Sequence, residues 1–156
     1  MSETAGTDIR IENRADDFIT EVIAEVGTDW KDVDDLKTFA IRCVDNGADF
    51  VKGQYFLKEH LLSHPARDYL ERRLISERDL SDLSEFSLNQ DVRLFFTPED
   101  VECARTLHQC GYTYCKVSHA NSQNADLLKY VGRTFLRSFI SIDPIKVVPD
   151  MSAIRL

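Results

Sequence analysis

Two lysines lie inside apolar runs of this chain. Lys52 sits in Phe50-Val51-Lys52-Gly53-Gln54, and Lys116 in Tyr114-Cys115-Lys116-Val117. Buried parallel strands usually read as continuous apolar runs, so a charge within each needs a reason. Side chains alternate across a strand. Lys52 therefore shares a face with Phe50, Gln54 and Phe56, and Lys116 shares one with Tyr112, Tyr114 and Ser118. Glu25 shares its parity with Ile23, and Thr97 with Arg93 and Phe95. Together Glu25, Lys52, Gln54, Thr97 and Lys116 form one polar group near the C-terminal ends of their strands, where barrels and open α/β sheets hold ligands. Lysine is a compact cation with three donors and suits a phosphate or a carboxylate. The alternative is a scatter of surface charges, which the position of the two lysines in central strands argues against.

The elements that must position these residues follow from periodicity. Val22 to Gly27 is a short apolar run closed by glycine, read as a first strand. Val33, Leu36, Phe39, Ala40, Cys43 and Val44 recur at helical spacing, and Gly47 supplies the stop. Strands are expected over Ala48 to Phe56, Val92 to Phe96, Tyr112 to Ser118 and Phe135 to Ile142. Between them, Ser76-Glu77-Arg78-Asp79 resembles a capping box, opening a helix through Leu80, Leu83 and Phe86. Thr97-Pro98-Glu99 reads as the start of a helix ended by Gly111, with Thr97 as N-cap. Asn124 reads as the N-cap of a helix over Ala125 to Arg133. Leu57 to Arg73 has mixed helical spacing and no firm assignment. Strands alternating with helices predict a parallel sheet joined by crossovers.

Composition bounds the function. The chain has 156 residues, 43% hydrophobic and 29% charged, which describes one ordinary globular domain. Its net charge of −8 argues against nucleic acid and against an anionic membrane surface, while leaving room for a small anionic ligand held by a local cluster of lysines. The polar start lacks a signal peptide, and no run of about 18 apolar residues exists to span a membrane. Cys43, Cys103, Cys110 and Cys115 form no CxxC pair and read as reduced thiols of a cytoplasmic protein, mostly filling core. His60 and His64, four apart, would share a face if helical, yet no third ligand is evident. Trp30 reads equally as lid or packing residue.

Five segments in order resemble the phosphoenolpyruvate-dependent sialic acid synthases. Ala24-Glu25-Val26-Gly27 is similar to that family's AEIG, and Gly47 to Gln54 to its GADAVKFQ. Phe95-Phe96-Thr97-Pro98 resembles FSTPF, Tyr114-Cys115-Lys116-Val117 resembles YKIA, and Asn124-Ala125-Asp126-Leu127-Leu128 resembles TNxPLL. The resemblance runs from about Val22 to about Ser141. It implies an α/β fold of parallel β/α units, here a partial TIM-barrel-like sheet of about five strands rather than a full barrel of about 250 residues. It implies a reaction that joins phosphoenolpyruvate to an N-acylated hexosamine, with a divalent metal (Mn²⁺ or Mg²⁺) polarising the sugar aldehyde. Carried over by position, Lys52 and Lys116 would hold phosphoenolpyruvate. Thr97 and Asn124 would add hydrogen bonds, and Glu25 would contact the sugar or move a proton. Gln54 belongs to the same face.

The departures are specific. The family's NHNG-type loop is replaced by Thr28-Asp29-Trp30-Lys31, without its histidine. The serine after YKIA falls on His119, with Ser118 adjacent; the threonine of TNxPLL falls on Gln123; of STGM only Ser141 remains. The family's metal-binding histidines and its C-terminal antifreeze-like domain lie beyond the matched part. The expectation is a flexible N-terminal tail over 1–17, a partial barrel over 18–143 and a C-terminal tail over 144–156. Five strands do not close a barrel, so the inner face would show Phe50, Phe56, Phe95, Tyr112, Tyr114 and Phe139. A second copy, a partner protein or the C-terminal tail is expected to cover it. The chain reads as a binding or structural subunit without catalysis by itself, or as a synthase when assembled with another chain.

Overall fold

The computed structural model describes residues 20–142. The segments read as tails, 1–17 and 144–156, lie outside the described residues. Five parallel strands stand in sequential order: β1 (Ile23–Gly27), β2 (Phe50–Tyr55), β3 (Leu94–Pro98), β4 (Tyr114–Val117) and β5 (Arg137–Ile140). Between them run α1 (Val33–Asp45), a 3₁₀ turn (Lys58–Leu61), α2 (Arg67–Glu71), α3 (Glu77–Asn89), α4 (Val101–Gln109) and α5 (Ala125–Thr134). This is the alternating α/β order that the periodicity predicts.

Local chemistry accounts for the helix ends. Ser76 and Asp79 form the reciprocal capping box that opens α3. Asn124 caps α5 by accepting from the Leu127 N–H. Gly47 and Gly111 follow α1 and α4 with φ of +92°, a conformation that costs other residues a Cβ clash. Two boundaries differ from the sequence reading. Thr97 and Pro98 lie in β3, and the N-cap of α4 is Asp100, whose carboxylate accepts from the Cys103 N–H at 2.7 Å. Proline is tolerated at a strand end, where no ladder N–H is needed. Leu57 to Arg73 folds as a 3₁₀ turn and a short helix, so His60 and His64 do not share one helix face.

One face of the sheet carries Val51, Tyr55, Leu94, Phe96, Cys115 and Val117 into a core shared with Leu36 of α1, Leu80 of α3, Leu107 of α4 and Leu127 of α5. All four long helices therefore cover the same side. Trp30 is buried in this core and donates from Nε1 to the Gly27 carbonyl, which makes it a packing residue. The four cysteines are free thiols. Burial pushes Cys103 and Cys115 up to about 12, so both are inert. No helix among the described residues is long and apolar enough to cross a membrane.

The opposite face is curled rather than flat. Phe50 on β2 and Phe139 on β5 have ring centroids 6.0 Å apart, although a flat sheet would hold those strands about 14 Å apart. Phe50, Phe95, Tyr114 and Phe139 pack edge-on and stacked as one aromatic layer. Arg93 and Arg137 lie over the Phe50 ring. Arg137 on β5 also reaches Glu21, just before β1, at 2.6 Å, so side chains from opposite edges meet below the layer. The expectation of a fully displayed inner face is corrected accordingly. Phe50 and Phe95 are only 1% and 0% exposed, and Phe56 is also buried. Tyr112 does not belong to that face. It precedes β4, packs edge-on against Phe96 and donates its hydroxyl to the Leu80 carbonyl on the helix side.

Candidate functional site

Register places the polar residues in rows across the inner face. Glu25 pairs with Lys52, and Lys52 with Phe95. One row higher, Gln54 pairs with Thr97. The pairing of Phe96 with Cys115 sets Thr97 beside Lys116, and Lys116 pairs with Phe139. Beyond the strand ends, the pairing of Val117 with Ile140 sets Ser118 beside Ser141. The aromatic layer thus borders the polar residues, with Phe95 level with Lys52 and Phe139 level with Lys116, and the polar group lies toward the C-terminal rim.

The centre is an ion pair. Lys52 Nζ lies 2.6 Å from Glu25 Oε2, and the lysine side chain is 3% exposed while the glutamate is 55% exposed. The glutamate is aimed by its own strand. After Glu25 the β1–β2 register shifts, Gly27 takes φ of +50°, and its N–H donates to Glu25 Oε1 at 3.0 Å. One carboxylate oxygen is held by backbone and the other by Lys52. Burial pushes the Lys52 ammonium below the ordinary lysine value. The Glu25 hydrogen bond opposes this, and the nearby Lys116 charge adds to it. Glu99 is a second carboxylate within electrostatic reach. Periodicity alone did not single it out, because it was read as the first turn of a helix.

Thr97 is 1% exposed, and its Oγ1 has no hydrogen-bond partner among the described residues. Leaving a buried hydroxyl unpaired costs about 1–3 kcal/mol, so this atom is free to take a hydrogen bond from outside the described residues. Gln54 and Lys116 are half-buried beside it. Two of the remaining sequence candidates have partners of their own. Ser118 Oγ accepts from the Asn121 N–H, and Asn124 Oδ1 is spent on capping α5.

The rim loops are tied to one another. Arg73 and Tyr69 both donate to the Thr28 carbonyl, which fixes the loop after β1. His60 Nε2 meets Asp100 Oδ2 at 3.0 Å, tying the loop after β2 to the start of α4. Asn121 Nδ2 donates to the Glu99 carbonyl, tying the loop after β3 to that after β4. Burial alone would raise Asp100, but the hydrogen bonds from Cys103 and His60 outweigh it and hold the carboxyl below its usual range.

His60, Asp100 and Cys103 are the described residues whose geometry comes nearest to a metal site. Their chemistry does not fit the Mn²⁺ or Mg²⁺ that the resemblance implies. Those hard ions take oxygen ligands, whereas Cys103 is held as a thiol. His60 Nδ1 accepts from the Leu57 N–H, which leaves its proton on Nε2 and turns that atom into a donor to Asp100. Neither group offers a lone pair to an ion.

Known structures share this architecture. The N-acetylneuraminic acid synthetase of Leptospira borgpetersenii serovar Hardjo-bovis superposes with a TM-score of 0.73 at 21% identity, over 85% of this chain and 47% of that one. The spore coat polysaccharide biosynthesis protein spsE of Bacillus subtilis matches with 0.65 at 21% identity, over 81% and 37%. A truncated 3-deoxy-D-arabino-heptulosonate 7-phosphate synthase of Thermotoga maritima matches with 0.58 at 13% identity, over 81% and 42%. The chain spans less than half the length of each. No family profile and no curated protein matches the sequence. These proteins share the fold of parallel strands alternating with helices, which bears out the fold class that the resemblance implied.

Proposed function

We propose that the chain binds a small phosphate- or carboxylate-bearing anion of the phosphoenolpyruvate type at the C-terminal rim of its sheet. In this reading it serves as a binding or structural subunit and is not a metal-dependent synthase by itself. The carrying observation is the Lys52–Glu25 pair with Lys116 in electrostatic reach and the orphan Thr97 hydroxyl one row above. An anion carrying several oxygens could accept from Lys116, Lys52 and Thr97 together, and would satisfy the Thr97 hydroxyl, the one buried side-chain polar atom left unpaired among the described residues. The fold relatives support the ligand class, since one is named an N-acetylneuraminic acid synthetase and was solved in complex with citrate, itself a polyanion, and another is named a 3-deoxy-D-arabino-heptulosonate 7-phosphate synthase.

Calorimetric titration with phosphoenolpyruvate, with and without Mn²⁺, tests this. Binding that is independent of Mn²⁺ and lost in Lys116→Ala, with the circular dichroism unchanged, is the expected result. No heat at millimolar ligand would overturn it. Binding that needs Mn²⁺ would favour instead a synthase completed by another chain.

We also propose that the chain works as an oligomer or with a partner protein. Among the described residues, β1 and β5 each have one strand neighbour. Apolar side chains stand exposed at both edges, Val22 before β1 and Ile23 at its start, and Leu136 and Ile142 flanking β5. Free edges of this kind template strand pairing. Light scattering is expected to give a mass of at least two chains; a soluble monomer at high micromolar concentration would overturn this.

A further inference from the structure

Lys52 has the surroundings of a nucleophile as well as those of an anion clamp. An ordinary lysine is a poor nucleophile because its amine is protonated. Lysines become reactive when they are desolvated, placed near another cation and given a base. Lys52 combines all three. Its side chain is almost wholly buried, with Phe95 as its neighbour on β3. Lys116 lies within electrostatic reach. A carboxylate oxygen sits 2.6 Å from Nζ, held in place by the Gly27 N–H. A lysine that only clamped an anion would do better without this carboxylate, which competes for the same charge.

We propose that Lys52 forms an imine with the carbonyl of a 2-oxo acid, with Glu25 as its proton acceptor and donor and Lys116 holding the substrate carboxylate. The inference rests on the rim being an anion site, as argued above, and adds covalent chemistry to it. In the first step Nζ passes a proton to Glu25 Oε2 across the existing hydrogen bond. The freed lone pair attacks C2, forming the C–N bond, while the carbonyl π pair moves to oxygen, which takes up the proton left in excess on the nitrogen and gives a neutral carbinolamine. The carbinolamine nitrogen then expels that oxygen as water, using the proton held on Glu25, and the C=N bond forms. Ammonium and ketone become protonated imine and water, and no oxidant, reductant or metal is needed. The depressed affinity of Lys52 for its proton lowers the cost of the first transfer. The buried Thr97 hydroxyl, in the row next to Lys52, is available to the carbinolamine oxygen.

Borohydride reduction in the presence of pyruvate tests it. An imine is trapped as a stable N-(1-carboxyethyl)lysine, read by intact mass and located by peptide mapping. The expected result is one adduct per chain on the peptide containing Lys52, absent in Lys52→Arg. In Glu25→Gln the adduct should form more slowly by roughly a hundredfold, the usual size of a general acid–base contribution. Circular dichroism of both variants guards against misfolding. Phosphoenolpyruvate, which has no carbonyl at C2, separates this inference from the reading beneath it. Calorimetric binding of phosphoenolpyruvate without a pyruvate adduct would overturn the imine and leave the anion site standing. Adducts scattered over exposed lysines, with none at Lys52, would also overturn it. Neither binding nor adduct would overturn both.

Discussion

Lys52→Met should abolish anion binding at the rim while leaving the protein as stable as before or more so. The variant removes a charge that folding has taken out of water and replaces it with an apolar chain of similar length beside Phe95. Exchanging a buried ion pair for apolar packing is often neutral or stabilising. The partner left behind is not stranded, because Glu25 is more than half exposed and keeps its bond from the Gly27 N–H. Glu25→Ala is the reverse case. It strands the buried ammonium, and we expect a loss on the order of 2 kcal/mol at pH 7, less than for a wholly buried pair because Nζ can shed its proton.

The sign of the pH dependence follows. Lys52 releases its proton at lower pH in the folded chain than in the unfolded one. Between those two values the unfolded chain binds more protons, so stability rises with pH there. Without Glu25 the folded value falls further and the window widens downward. The deficit of Glu25→Ala relative to the parent protein should therefore shrink between pH 7 and pH 9, measured by urea denaturation of both proteins at each pH. A deficit that grows, or a Lys52→Met variant that fails to fold, would show that the pair is a structural strut.

Gly53→Ala should destabilise the fold by about 1–3 kcal/mol, the usual cost of overpacking a core. A Cβ at Gly53 would lie 2.8 Å and 2.9 Å from Cε1 and Cδ1 of Phe96, its register partner on β3. The ring cannot swing aside. Phe96 is fully buried and packs edge-on against Tyr112, whose hydroxyl is anchored to Leu80. Lys52 and Gln54 flank Gly53, so a displaced β2 would also misplace the site, and anion binding should weaken in the same variant. Adding Phe96→Leu removes the ring edge. The double variant should then be less destabilised than the sum of the singles, a coupling that a double-mutant cycle in urea measures. Additive effects would mean that the backbone, not the ring, limits the position. The contact also explains a departure in the sequence. The motif GADAVKFQ has phenylalanine where this chain has Gly53, and FSTPF has serine where it has Phe96. The bulk has moved from one strand to its neighbour, and the same space stays filled.

Much of this architecture was legible in the chain as written. Alternation placed Lys52 and Gln54 opposite Val51 and Tyr55, and the structure keeps that division, because a strand has no other way to present consecutive side chains. Gly47, Gly111, Ser76 and Asn124 marked helix ends by local stereochemistry that needs no tertiary partner. Other features depend on distance in space. The N-cap of α4 falls on Asp100 rather than Thr97 because pairing with β2 extends β3 through Pro98. Tyr112 leaves the inner face because β4 begins two residues later and the Leu80 carbonyl offers its hydroxyl a partner. The burial of Phe50 and Phe95 accompanies the curl that brings β2 and β5 together, which no local pattern encodes. The Glu25–Lys52 contact, the orphan Thr97 hydroxyl and the His60–Asp100 tie each join residues 27 or more positions apart, or depend on what fails to arrive beside them. By itself the sequence determined which side chains each strand presents and where most helices begin and end, since those follow from backbone geometry within a few residues. Only the tertiary structure decided which of those side chains are desolvated and which meet, because both depend on how the strands curl together.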